Sequence, residues 1–160
     1  MIIDLRDNPG GALDVVCNIA DMLVPEGVIT YMQYKDGERE DFMSDKNEMN
    51  IPMAVLINEH SASASEVLTG CLKDYKKATV IGKTSFGKGV VQTIFPFPDG
   101  TGMSMTIANY FSPNGVCIHG TGIAPDIEVD LPEEYEYYYA SAVPIEDDTQ
   151  LQKAIEVLNQ

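Results

Sequence analysis

The feature that most constrains the fold is an uninterrupted apolar run over residues 52–57, which a run of small residues and a helical pattern soon follow. A short run that is apolar throughout is typical of a central strand buried on both faces of a sheet. The small residues at 61–66 read SASASE, and apolar residues then recur on one side of a helix at Val67, Leu68, Cys71 and Leu72. The pattern predicts a strand, a tight turn and a helix.

A similar unit comes earlier in the chain. Residues 2–5 are typical of a strand, residues 6–11 are dense in turn formers, and apolar residues then recur at helical spacing until Pro25. Another buried strand is predicted over residues 78–82. The order β-α-β-α-β predicts an α/β core with parallel strands.

Most of the other predicted elements are strands. β-prone residues between turn signals predict strands over 28–34, 38–42, 90–95, 103–110, 116–118 and 127–129. Thr149 is predicted to cap a last helix. We expect residues 1–130 to form a core, and residues 131–160 to form an acidic tail whose helix packs on or beside that core.

Composition excludes several classes of protein. At 160 residues the chain is long enough for one domain, and its formal net charge of −15 argues against nucleic-acid binding, which needs a basic face. Its apolar runs fall well short of the ~18 residues of a membrane helix. Cys17, Cys71 and Cys117 are widely spaced, and the acids lack metal-ligand spacing, so no disulfide framework, metal or cofactor is predicted. Cys17 and Cys71 lie in helical patterns and are predicted to be buried.

No signal peptide is recognisable before the first predicted strand. Met1 stands directly before the strand-like Ile2 and Ile3. We therefore expect the chain to begin inside a longer protein, and the lack of a leader predicts nothing about its compartment.

The small-residue run offers a nucleophile. A serine at a strand-to-helix turn has an exposed hydroxyl beside free backbone N–H groups, and Ser61, Ser63 and Ser65 all lie in such a place. Ser63 and Glu66 also fit the Ser-x-x-Glu capping box, which on its own would explain both residues.

Lys88 is a candidate general base. It lies between Gly87 and Gly89 with apolar residues on either side, and an apolar setting favours the neutral amine that a base requires. Gln92 follows four residues later, where strand alternation would place it on the same face and let it hydrogen-bond the amine. An ordinary solvated lysine and an ordinary strand glutamine are the alternatives.

The earlier turn, residues 8–11, would supply backbone donors. With Ser63 as nucleophile, the N–H groups of Gly10, Gly11 and Ala64 would stabilise the oxyanion. Taken alone, the same residues are merely a turn.

The histidines give a weaker alternative base. His60 is too near Ser61 and Ser63 in sequence to reach back to them, and His119 has no evident carboxylate to orient it.

Together these residues resemble the carboxyl-terminal processing proteases, also called tail-specific proteases. The similarity rests on DLRDNPGG at 4–11, SASASE at 61–66, FGKG at 86–89 with Gln92, and GTGIAPD at 120–126. Each motif alone is weak, and their order between residues 2 and 129 makes the combination specific.

The resemblance implies a serine peptidase in which Ser63 is the nucleophile, Lys88 its base and Gln92 the residue that positions the lysine. Ser63 precedes Lys88 by 25 residues, the family's usual separation. The resemblance also implies a Clp-protease/crotonase-like α/β fold with a mixed sheet, covering helices and a β-rich C-terminal part. It implies substrates with apolar, unstructured carboxyl termini and an extracytoplasmic location.

Family members carry a PDZ domain before the core, which these 160 residues do not contain. We therefore expect a PDZ domain in the full-length protein and little activity in the isolated chain. We also expect the edge beside Ile2 and Ile3 to pair with a second copy, by dimerisation or domain swapping.

Two other classes fit less well. A non-catalytic ligand- or peptide-binding module of the same fold would not need Ser63 and Lys88, and both are present. A crotonase-like acyl-CoA enzyme would use the glycine turn as an oxyanion hole without Lys88 and Gln92 in register.

Overall fold

The computed structural model describes residues 1–160, which form three α-helices and eight β-strands. The helices are α1 (Leu13–Asp21), α2 (Ala64–Asp74) and α3 (Thr149–Leu158). The strands are β1 (Ile2–Asp4), β2 (Gly27–Tyr34), β3 (Arg39–Ser44), β4 (Met53–Ile57), β5 (Ala78–Gly82), β6 (Val90–Pro96), β7 (Gly102–Phe111) and β8 (Ile127–Glu128). None of the helices combines the length and the apolar content that a membrane crossing requires.

A parallel sheet in the order β1-β4-β5-β8 forms the centre of the molecule. Strand β4 lies between β1 and β5 and is buried along its whole length. Because side chains alternate along a strand, Met53, Val55 and Ile57 pack with residues of α1 and α2. Ala54 and Leu56 pack on the other face with α3. The prediction of a central strand buried on both faces is confirmed.

A second sheet is antiparallel, in the order β3-β2-β7-β6. The α/β prediction is confirmed, with the parallel and antiparallel strands divided between two sheets. The strand predicted over 116–118 is wrong, since only an isolated bridge joins Phe111 and Cys117. The carbonyl of Ile118 instead accepts the N–H groups of Thr121 and Gly122, which bends the chain into a turn.

Helix α3 covers the face of the parallel sheet opposite to α1 and α2. Its predicted cap is wrong by one residue, because Asp148 rather than Thr149 is the N-cap. The Asp148 carboxylate accepts the Leu151 N–H at 3.0 Å, which is the usual capping bond. Thr149 begins the helix, and its hydroxyl donates to the Asp130 carbonyl.

The cysteines are free thiols. Cys71 is fully buried, as predicted, and Cys17 is half-buried against the same core. Burial, with a smaller effect of the Asp74 charge, raises the pKa of the Cys71 thiol to about 12. A thiol with so high a pKa is inert near neutral pH, so Cys71 acts as a small core residue.

Replacing Leu56 tests the contribution of the α3 face to stability. Leu56 is 0% exposed, so Leu56→Ala leaves a cavity between the sheet and α3. We expect the free energy of unfolding in urea to fall by about 3 kcal/mol. Ile94 is 73% exposed, so the control Ile94→Ala should change the free energy of unfolding by less than ~0.5 kcal/mol. Equal losses in the two variants would contradict this description of the core.

Candidate active site

Ser63 lies at the turn between β4 and α2, in a backbone conformation that non-glycine residues rarely adopt. Its φ is 57° and its ψ is −118°, and such a conformation persists only where the surroundings fix it. The neighbouring residues do so here, since Ser61 Oγ donates to the Leu5 carbonyl at 2.7 Å and the Ala62 N–H donates to the Asn8 carbonyl at 3.0 Å. The turn leaves Ser63 half-buried at the surface.

Glu66, in the first turn of α2, connects Ser63 to the loop that carries Lys88. It is fully buried, and its carboxylate accepts four hydrogen bonds. Oε2 accepts the N–H groups of Ser63 at 2.9 Å and Lys88 at 2.8 Å. Oε1 accepts the Ser85 hydroxyl and the Gly87 N–H, both at 2.6 Å. The backbone N–H groups of two residues 25 positions apart therefore donate to the same oxygen of Glu66.

Sequence reasoning gave Glu66 only a capping role. The Ser63 N–H bond is the Glu66 half of that predicted box, and the three other bonds are tertiary. A glutamate at the third position of a helix is a common cap, so the sequence carries no signal for the additional partners.

The loop of Lys88 packs through its backbone. A Cβ atom on Gly89 would lie 2.4 Å from the His119 nitrogen, and one on Gly87 would lie 3.1 Å from the Gly122 nitrogen. The glycines thus permit a close backbone approach that a side chain would block. The Lys88 side chain itself is exposed, so the chain does not supply the predicted apolar enclosure.

Gln92 lies on β6 and is also exposed. The strand begins at Val90, after Lys88, and its register shifts between Val91 and Gln92. The alternation that predicted a shared face for Lys88 and Gln92 is therefore interrupted. The structure places both residues near the same end of β6, without a hydrogen bond between their side chains.

The glycine turn lies directly against the Ser63 turn. Gly10 has a φ of 92°, and a Cβ atom there would lie 2.6 Å from the Ala62 oxygen and 2.7 Å from the Ala64 nitrogen. Glycine is required at this position for both reasons. The Gly10 N–H donates to Asn8 Oδ1 at 2.9 Å, whereas Gly11 is exposed. The structure thus brings together Gly10, Ser63 and Ala64, with Gly11 at the edge of the group.

The histidines are both exposed. The hydrogen bonds of the structure link neither the His60 nor the His119 imidazole to Ser63, and they connect the imidazoles to no carboxylate.

Arg6 forms a buried ion pair that sequence reasoning missed. Its Nη1 and Nη2 donate to the two oxygens of Asp148 at 2.9 and 2.8 Å, and its Nε and Nη2 donate to Asp4 at 2.9 and 2.6 Å. Burial lowers the pKa of Arg6, but the hydrogen bonds to Asp4 and Asp148 outweigh it and raise the pKa above its ordinary value. The guanidinium is therefore permanently charged. No sequence pattern relates residue 6 to residue 148.

An apolar pocket lies beside the glycine turn. It has a volume of about 180 Å³, and its lining includes Leu5, Gly10, Val15, Val16, Ala64 and Leu68. A pocket of this size accommodates one apolar side chain, and Ala64 and Ser65, which follow Ser63, contribute to its wall.

The sequence model of peptidase family S41 matches residues 1–129. The chain belongs to peptidase family S41. The match covers every motif on which the resemblance rested, and it ends before Asp148.

Two curated relatives cover most of this chain. A probable CtpA-like serine protease of Staphylococcus aureus is 44% identical over 137 residues, which are 83% of this chain and 28% of that protein. The carboxyl-terminal-processing protease of Synechocystis is 42% identical over 132 residues, which are 82% of this chain and 31% of that protein. The chain spans less than a third of the length of these relatives.

Solved structures of the family share the fold. The photosystem II D1 C-terminal processing protease matches with a TM-score of 0.77 and 40% identity, over 82% of this chain and 35% of that one. A putative S41 protease from Bacteroides fragilis matches with a TM-score of 0.75 and 23% identity, over 99% of this chain and 44% of that one. The predicted Clp-protease/crotonase-like core, which S41 proteases have, is confirmed.

Replacing Glu66 by glutamine tests its role as the connection between the two loops. Glu66→Gln puts an NH₂ group where one oxygen now accepts two donors, so we expect the free energy of unfolding to fall by about 1–3 kcal/mol. The exposed Glu59→Gln control, four residues before Ser63, should change it by less than ~0.5 kcal/mol. Chemical denaturation measures both, and a Glu66→Gln variant as stable as the control would refute the assignment.

Proposed function

We propose that this chain is the catalytic core of a serine endopeptidase in which Ser63 is the nucleophile and Lys88 the general base. The observation that carries the proposal is that the Ser63 and Lys88 N–H groups donate to the same oxygen of the buried Glu66. Membership of peptidase family S41 supports a serine peptidase independently of that geometry.

The proposed reaction has two steps. Neutral Lys88 takes the proton of the Ser63 hydroxyl as Oγ attacks the scissile carbonyl, and the lysine ammonium then protonates the leaving amine. Water hydrolyses the resulting acyl-enzyme with Lys88 again as base. The N–H groups of Ala64 and Gly11 would stabilise the oxyanion, and the Gly10 N–H would join them only by leaving its bond to Asn8 Oδ1. Gln92 would orient the Lys88 amine.

Because Lys88 is exposed, it needs a covering segment that excludes water before it can act as a base. A base lysine must be neutral, and removal of water favours the neutral amine. A substrate segment or a further part of the full-length protein lying over Lys88 would exclude that water. This requirement supports the expectation of little activity in the isolated chain.

Replacing each member of the pair tests the mechanism. We expect Ser63→Ala and Lys88→Ala each to lower kcat/KM for an unfolded protein with an apolar tail by about 10³-fold or more, because each removes one half of the reaction. The exposed lysine control Lys35→Ala should retain wild-type activity.

The full-length protein provides the test if the isolated chain does not cleave. If the isolated chain is inert, the same variants are measured in the full-length protein with its preceding segments. Activity there that survives Ser63→Ala or Lys88→Ala would refute the pair. A full-length protein that binds apolar tails without cleaving them would establish the second candidate, a non-catalytic peptide-binding module, which the exposure of Lys88 favours.

We further propose that the substrate is an apolar, unstructured carboxyl terminus. Strand β6 lies at the edge of the antiparallel sheet directly after Lys88, so its free backbone groups can pair only with an extended segment. The apolar pocket beside Gly10 would then receive one side chain of that segment. Together the two features favour an unfolded apolar tail over a folded or charged one.

Introducing a charge into the pocket tests the preference. Val15 lines the pocket and is 53% exposed, so Val15→Asp should leave the fold intact. We expect kcat/KM for an apolar tail to fall by about 10–200-fold, since a pocket contact is lost and a charge faces the substrate. For a tail ending in serines on the same carrier protein, the same substitution should lower kcat/KM far less. Equal losses for the two tails would contradict the assignment of the pocket.

We also propose the assembly and location that the resemblance implies. Strand β1 pairs with β4 on one side only, which leaves an edge at which a second copy could add. An extracytoplasmic location and a PDZ domain in the full-length protein rest on the family resemblance alone.

A further inference from the structure

We infer that Asp148, acting through Arg6, is a positioning residue for the glycine turn that lies against Ser63. This assigns a role in the reaction to the segment after residue 129, which lies outside the matched family region. The inference rests on the proposed function, because the turn matters to catalysis only as the source of oxyanion donors.

The contact between Arg6 and Asp148 has the geometry of a specific clamp. Two parallel hydrogen bonds at 2.9 and 2.8 Å join the guanidinium to both carboxylate oxygens. The side chains are 2% and 4% exposed, and Gln150 accepts a further bond from Arg6 Nη1 at 3.0 Å. A bidentate pair fixes orientation as well as distance, and without Asp148 the buried guanidinium keeps only Asp4 as a carboxylate partner.

A second contact joins the same two segments. The Asp7 carboxylate accepts the Ala140 N–H at 2.7 Å and the Asn58 side-chain amide at 2.8 Å. Asp7 has a φ of 59°, a left-handed conformation that non-glycine residues rarely adopt. The C-terminal segment thus holds two successive residues, Arg6 and Asp7, immediately before the turn.

The turn is held from the other side by the nucleophile segment. The Asn8 carbonyl accepts both the Ala62 N–H and the Ser65 hydroxyl at 3.0 Å. Gly10 then meets the Ala64 nitrogen without room for a Cβ atom. The position of the turn therefore depends on two supports, the small-residue run on one side and the C-terminal segment on the other.

The capping role of Asp148 makes the inference testable without unfolding α3. Asparagine caps a helix about as well as aspartate, so Asp148→Asn keeps the bond to the Leu151 N–H. The same change places an NH₂ group against Arg6 Nη2, where Oδ2 now accepts. A control for loosening of α3 is Ala154→Gly, because Ala154 is buried on the face of α3 that packs with Ala54, Leu56 and Ile81.

The experiment measures amide hydrogen exchange of wild type, Asp148→Asn and Ala154→Gly, and their kcat and KM in the full-length protein. We expect Asp148→Asn to speed exchange at Asn8, Gly10 and Ala62 by about tenfold and to lower kcat by about 10²-fold, with KM within about twofold. Exchange at Val55 and Val80 in the parallel sheet should not change. In Ala154→Gly, the exchange rates of the turn and kcat should both stay near their wild-type values.

Three results would overturn the inference. These are unchanged exchange of the turn in Asp148→Asn, an unchanged kcat in active full-length protein, and an Ala154→Gly variant that reproduces the effects of Asp148→Asn. Absence of cleavage by the wild-type full-length protein refutes the proposed function instead. In either case, the exchange measurement tests whether the contact between Asp148 and Arg6 positions the glycine turn.

Discussion

The buried carboxylate of Glu66 holds the candidate site together. An ionised carboxylate inside a protein is costly unless hydrogen-bond donors surround it, and here four donors do so. They come from the start of α2 and from the loop that ends at Lys88. Neither segment can move away without leaving the charge underbonded, so the relative position of the Ser63 turn and the Lys88 loop is fixed. Ser85 extends the connection, because its hydroxyl also accepts the Ile123 N–H at 2.7 Å.

The glycines around this carboxylate let backbone segments approach where side chains would collide. Gly10 lies against the Ser63 turn, and Gly87, Gly89 and Gly122 bring the Lys88 loop against the turn at 120–122. Asp126, from the motif at 120–126, has a structural role as well, since its carboxylate accepts the Val80 N–H and pairs with Lys73. The reactive groups proposed here stand on a scaffold made of such contacts.

Hydrogen bonds fix the backbone of the candidate site, whereas two of its candidate side chains are exposed to solvent. Ser63 is held in a strained turn, whereas Lys88 and Gln92 face solvent at the start of an edge strand. Apolar residues further along the same hairpin, among them Ile94 and Phe95, are exposed as well. An arrangement of this kind is typical of a surface that another segment covers during function.

The sequence by itself determined the elements whose signals are local. The apolar run 52–57, the small-residue turn and the glycines at 10, 87 and 89 each follow from side-chain alternation or from backbone sterics within a few residues. They predicted β4, α2 and the turns at Ser63 and at residues 8–11. The sequence did not predict that Glu66 has four partners, that Arg6 is held by Asp148, or that Lys88 is exposed. Three of the four Glu66 bonds join residues 19 to 22 positions apart, and Arg6 lies 142 positions from Asp148. These contacts and the exposure of Lys88 depend on how distant segments pack, so only the tertiary structure decided them.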